Sequence, residues 1–98
     1  MANNVIDWAK KIPLKASLSQ VLISMACITN QDGRCDGLKL RKLSELSGLS
    51  ILKVFLALNK LAKLKIIVIN FRKKFYYLRV QISPDKLINN YEEKLRHG

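Results

Sequence analysis

Ninety-eight residues make room for one compact domain with a real core and leave none for a separate substrate domain, which excludes a large multidomain enzyme. Apolar residues form 49% of the chain and charged residues 26%, a globular balance and not a disordered or membrane-spanning one. Eighteen Lys and Arg oppose seven Asp and Glu; the resulting +11 calls for a polyanionic partner, either nucleic acid or an anionic membrane surface.

The first element is a helix over residues 4–12, because Val5, Trp8, Ala9 and Ile12 fall at i, i+3, i+4 and i+7 and Pro13 stops it. Trp8 is its packing anchor. A second helix is expected to begin at Ser17, where Ser17 and Gln20 have capping-box spacing; Leu18, Val21, Leu22, Met25, Ala26 and Thr29 then trace its inner face. Ile23 and Cys27 lie off that stripe, which predicts a second covered surface. Asn30 to Gly33 end the helix. Gly37 opens a third, with Leu40, Leu43 and Leu46 inward and Lys39, Lys42 and Glu45 outward, until Gly48 breaks it. Leu49 and Ser50 complete a tight turn. Ser50 caps a fourth helix reaching about Leu64, whose inner arc is Val54, Leu58 and Leu61. The period then changes to two. Ile67, Ile69 and Phe71 alternate, Arg72, Lys73 and Lys74 interrupt, and Tyr76, Leu78, Val80 and Ile82 alternate again, which predicts a hairpin with a basic tip. Ser83, Pro84 and Asp85 signal the start of a last helix, residues 84–96, with Leu87, Ile88, Tyr91 and Leu95 on one stripe.

Several function classes fall away. The longest apolar stretch, Ile51 to Ile69, is interrupted by Lys53, Lys60, Lys63 and Lys65 and cannot be a membrane span. Asp7 and Trp8 stand where a signal peptide would need a basic end and an apolar run, so the expected location is the cytoplasm, on the nucleoid or a plasmid. Cys27 and Cys35 form no CxxC pair, and the one His is His97 in the tail; free thiols are expected, with no metal and no cofactor. No nucleophile lies beside a base and no Gly-rich phosphate loop is present, which argues against an enzyme. Phe75, Tyr76 and Tyr77 are explained more simply by strand packing than by stacking on single-stranded bases.

The order helix, helix, Gly turn, helix, basic-tipped hairpin is that of a winged helix-turn-helix. The stretch Leu43-Ser44-Glu45-Leu46-Ser47-Gly48-Leu49-Ser50, followed by Val54, Leu58, Leu61 and Ile66-Ile67, resembles the signature of bacterial winged-helix regulators and of plasmid or phage replication proteins. Asn30 to Cys35 resembles the loop that family places before the motif. The resemblance covers roughly residues 17–82. It implies one α+β domain over residues 1–98: a winged-helix core at 17–82, helical extensions at 4–12 and 84–96, and a two- to three-stranded antiparallel wing. Three positions depart from the family. Lys65 stands where Gly usually ends the recognition helix, Asp36-Gly37 must replace a Ser or Thr cap on the helix before it, and the outward face of the recognition helix carries Leu52 and Leu56, with Phe55 on its flank, where Arg, Gln, Thr or Ser are usual. On that face Asn59 alone is well equipped for a bidentate adenine contact.

Between Gly37 and Ile82 lie eleven basic residues against Glu45 alone. A pure solubility role would call for mixed signs, whereas a phosphate-facing surface excludes acids. The expected ligand is double-stranded DNA, in transcriptional or replication control. The recognition helix, residues 50–64, would bring Ser50, Lys53, Asn59, Lys60 and Lys63 to the major groove, with Lys39, Arg41 and Lys42 on phosphates and Arg72, Lys73 and Lys74 holding the adjacent minor groove or backbone. The alternative is a protein-interaction module whose contact patch is Leu52, Phe55 and Leu56. The stripe Leu87, Ile88, Tyr91 and Leu95 predicts a homodimer through terminal helices; its intramolecular alternative is packing on Ile23 and Cys27.

Overall fold

The computed structural model describes residues 4–30, 32–82 and 86–87. These hold helices α1 (Asn4–Lys10), α2 (Ala16–Ile28), α3 (Leu40–Ser47) and α4 (Ile51–Lys63), and strands β1 (Arg34–Cys35), β2 (Ile67–Asn70) and β3 (Phe75–Leu78). The strands form one antiparallel sheet in the order β1-β3-β2, so the domain is α+β.

The stripe predicted for α1 is buried through Val5, Trp8, Ala9 and Ile12, and the helix packs on α2. Trp8 acts as the expected anchor: its indole N–H donates to the Ile82 carbonyl at 2.9 Å, fixing α1 to the chain beyond β3. In α2, Leu18, Val21, Leu22, Met25 and Ala26 are buried. The capping box does not form. The helix starts at Ala16, Lys15 is its N-cap without a side-chain bond, and Ser17 sits exposed inside the first turn. The Lys15 carbonyl already takes the amide of Ser19 at 2.9 Å, so helical bonding begins two residues before the Ser17 hydroxyl could cap anything. Ile23 is half-buried against the core, but Cys27 is exposed, and the second covered surface stops short of it. Leu87 is fully buried in the core of its own chain and therefore unavailable as a dimer contact. The start signals Ser83 to Asp85 and the other stripe residues, Ile88, Tyr91 and Leu95, lie outside the described residues.

The third helix begins at Leu40, with Lys39 as an uncapped N-cap, and not at Gly37. Two contacts account for the delay. Arg34 takes the Asp36 carboxylate at 2.7 Å, and the Leu38 amide donates to the Lys74 carbonyl at 2.8 Å, which holds residue 38 to the hairpin before the helix can start. Leu43 is buried and Leu40 half-buried, but Leu46 is exposed. An i, i+3, i+6 series drifts about 60° around the helix per step, so Leu46 has rotated off the core face. Gly48 ends α3 in the left-handed region at φ 75°, its amide donating to Ser44 at 2.9 Å. The turn is then locked by Ser44 donating to the Leu49 carbonyl and by Ser47 accepting from the Leu49 amide at 3.3 Å.

Ser50 caps α4 as expected, accepting from the Lys53 amide at 3.2 Å, and Val54, Ala57, Leu58 and Leu61 are buried. Lys65 takes the left-handed conformation that the family gives to Gly, at φ 61°. Its amide donates to Ala62 at 3.0 Å and that of Ile66 to Leu61 at 3.1 Å, the two bonds of a Schellman motif built without glycine.

The hairpin pairs Ile67 with Leu78, Val68 with Tyr77, Ile69 with Tyr76 and Asn70 with Phe75. Tyr76 is buried, as are Ile67 and Leu78, and donates to the Met25 carbonyl at 3.1 Å; burial, with Cys35 nearby, pushes its phenol well above the ordinary tyrosine value. Phe75 lies half-buried under the Arg34 guanidinium, 5.0 Å from its ring centre, while Tyr77 is exposed. The strand predicted to reach Ile82 stops at Leu78. Pairing runs out just past it: the Arg79 amide still donates to the Ile66 carbonyl at 3.1 Å, but β1 has two residues and β2 begins at Ile67, and Val80 and Ile82 turn back onto Leu78 and Arg79 by hydrogen bonds of 2.8 and 3.1 Å. Gly33, at φ 81°, lets β1 approach β3: a Cβ there would stand 3.1 Å from the Leu78 carbonyl.

Candidate nucleic-acid interface

The bond from the Leu38 amide to the Lys74 carbonyl decides where the charge lies. It joins the start of α3 to the hairpin turn; Lys39, Arg41 and Lys42 on the α3 side of this edge and Arg72, Lys73 and Lys74 on the turn side are all exposed. The turn is held from within: the Lys73 amide donates to Asn70 Oδ1 at 2.9 Å, and Lys74 adopts φ 55°. The backbone of this edge is fixed while its long cationic side chains reach solvent. Arg79 is half-buried and donates to the Lys65 carbonyl at 3.1 Å.

On α4, Lys53, Lys60 and Lys63 are exposed, and the Ser50 oxygen is engaged in its cap. Asn59, the expected base reader, is half-buried, and its Nδ2 donates to the Phe55 carbonyl one turn back at 3.1 Å. One of its two amide N–H groups is thus committed within the helix, which leaves the other and the amide oxygen for an adenine contact. The centre of the outward face is apolar: Leu52 is 66% exposed, Leu56 57% and Phe55 39%. Two residues extend this patch beyond the expected three. Ile51 is 45% exposed, and Phe71 of the hairpin turn lies against Phe55 with ring centres 5.3 Å apart. Ile51 was recoverable from sequence, since Ile51 and Phe55 repeat at i, i+4 beside Leu52 and Leu56. Phe71 was not, because its alternation with Ile67 and Ile69 points to the inner face, whereas the chain has already left β2 for the turn.

Among the described residues, no three His, Cys, Asp or Glu gather as a metal site, and no helix is long and apolar enough to cross a membrane. Cys27 and Cys35 are free thiols. No family model, curated protein or solved structure matches the chain.

Proposed function

We propose that the chain is a winged-helix domain that binds double-stranded DNA mainly through phosphates, in transcriptional or replication control on a bacterial nucleoid, a plasmid or a phage genome. The element order α1-α2-β1-α3-α4-β2-β3, with β3 in the middle of the sheet, supports the winged-helix part of this reading. The observation that carries the binding part is the bond joining the hairpin turn to the start of α3, two segments rich in exposed cations. In this reading the six exposed cations of those segments, Lys39, Arg41, Lys42, Arg72, Lys73 and Lys74, act as one basic edge, with Glu45 as the one acid on α3 or the turn. A rigid backbone carrying flexible cations suits a polyanion of regular spacing, and its affinity is dominated by released counterions. Lys53 and Lys60 extend the edge along α4. Base reading by Asn59 is no part of the proposal, and neither catalysis nor a cofactor enters it.

Titration of a labelled random-sequence duplex by the full chain at several salt concentrations tests it. With roughly 4 to 6 phosphates engaged, log K against log salt should fall with a slope of about −4 to −5. Replacing Arg72, Lys73 and Lys74 together by Ala should flatten that slope by up to about 2.7 and weaken binding to all sequences alike. An unchanged affinity and slope in the triple variant refute the role of the wing.

A further inference from the structure

The apolar stripe on α4 is not explained by a phosphate-binding edge. Ile51, Leu52, Phe55 and Leu56 are all exposed, while Val54, Ala57, Leu58 and Leu61 on the opposite side fill the core. A helix apolar on both faces is normally covered on both. Duplex DNA covers this one poorly, because base edges in the major groove are mostly polar and lose their water to side chains that return no hydrogen bond.

The charges around the stripe select its occupant. At about 100° per residue, Lys53 and Lys60 flank Leu52 and Leu56 on one side and Ile51 and Phe55 lie on the other; the Phe71 ring meets Phe55, and Arg72 and Lys73, both exposed, follow Phe71 in the chain. Neither α4 nor the wing turn contains an acid. A second copy laid on the same stripe would bring these cations against their own counterparts with nothing to neutralise them. The stripe is also narrow, with Leu52, Phe55 and Leu56 at the i, i+3, i+4 spacing of a single helix contact, bordered by cations and not spread as a flat apolar plane.

We infer that this face docks an acidic amphipathic helix of a partner protein. Apolar side chains of that helix seat on Leu52, Phe55 and Leu56 between α4 and Phe71, and its flanking Asp or Glu residues face Lys53, Lys60 and Arg72. The inference does not rest on the DNA reading, since the apolar stripe carries it, although the two surfaces share Lys53, Lys60 and Arg72.

The probe is a fluorescein-labelled synthetic 18-residue helix with Leu on one face and Glu on both flanks, titrated with the full chain by fluorescence anisotropy. Saturable binding is expected. Leu52→Ser with Leu56→Ser should weaken it at least tenfold, and Lys53→Ala with Lys60→Ala should weaken it several-fold while reducing its salt dependence. All four positions are exposed, and unchanged thermal melts will confirm that the variants fold. The duplex titration run on the leucine variant should be unaltered, which separates failure of this inference from failure of the DNA reading. The inference is overturned by absence of saturable binding, by equal binding of the leucine variant, or by equal binding of a peptide whose flanking Glu are replaced by Lys. It is also overturned if the leucine changes convert a dimer to a monomer in sedimentation, or if vesicles with 30% phosphatidylserine bind the chain as tightly as the peptide and lose it in the leucine variant.

Discussion

Lys65 offers a direct measure of how far this chain departs from the glycine its helix end calls for. The residue closes α4 at φ 61° with its side chain exposed, so the backbone is strained and little packing compensates. The left-handed conformation costs an L-residue roughly 1–2 kcal/mol, and glycine removes that cost while adding about 0.5–1 kcal/mol of unfolded-chain entropy. Lys65→Gly should therefore gain about 0.5–1 kcal/mol. The bonds that build the cap are retained, because the amides of residues 65 and 66 and the carbonyl that receives Arg79 belong to the backbone. Lys65→Ala is the control. It removes the same charge but keeps a Cβ, so it should stay within about 0.5 kcal/mol of the parent. Urea unfolding followed by circular dichroism reads the difference, and in a thermal melt a gain of that size in a domain near 100 residues corresponds to roughly 2–8 °C. If Gly proves no more stable than Ala at this position, the strain argument is wrong.

Two further changes test the packing that positions the wing. Gly33→Ala should destabilise by about 2 kcal/mol in urea, since φ 81° and a Cβ 3.1 Å from the Leu78 carbonyl act together; an effect under about 0.5 kcal/mol would mean β1 does not press on β3 as described. Tyr76→Phe should cost about 1–2 kcal/mol at neutral pH by stranding the Met25 carbonyl. Because the Tyr76 phenol is raised in the folded chain, its contribution is fully present below the unfolded value near 10 and is lost as pH rises through the folded value. The gap between parent and Tyr76→Phe should thus shrink from about pH 9 to 11, and a constant gap would contradict burial of the phenol.

What was legible in the sequence was whatever local chemistry decides. The Gly48 turn, the Ser50 cap and the inner arc of α4 each depend on residues within one or two turns, and all appear where their spacing places them. The errors came from partners far along the chain. The start of α3 is delayed by a bond between residues 38 and 74, and β3 ends where its neighbouring strands run out, which no periodicity within residues 76–82 encodes. β1 is two residues long, too short to show a period at all. At the candidate site the exposed cations could be named from charge alone, whereas the tie of Asn59 to the Phe55 carbonyl depends on a rotamer.

The position of Phe71 joins the two proposed surfaces. It begins the turn that carries Arg72 to Lys74, and its ring rests on Phe55 of α4. The hairpin turn is thereby anchored at both ends, by an aromatic contact to α4 on one side and by the Lys74 carbonyl to Leu38 on the other. Whatever covers the α4 stripe must touch Phe71, and so must approach the first cation of the basic edge. A helix bearing acids would then compete with phosphates for Arg72 while leaving Lys39, Arg41 and Lys42 at the far end of the edge accessible. Partial weakening of duplex binding, and not its loss, is what this geometry implies for a chain with its apolar stripe occupied, since neutralising Lys53, Lys60 and Arg72 still leaves Lys39, Arg41, Lys42, Lys73 and Lys74 for phosphates.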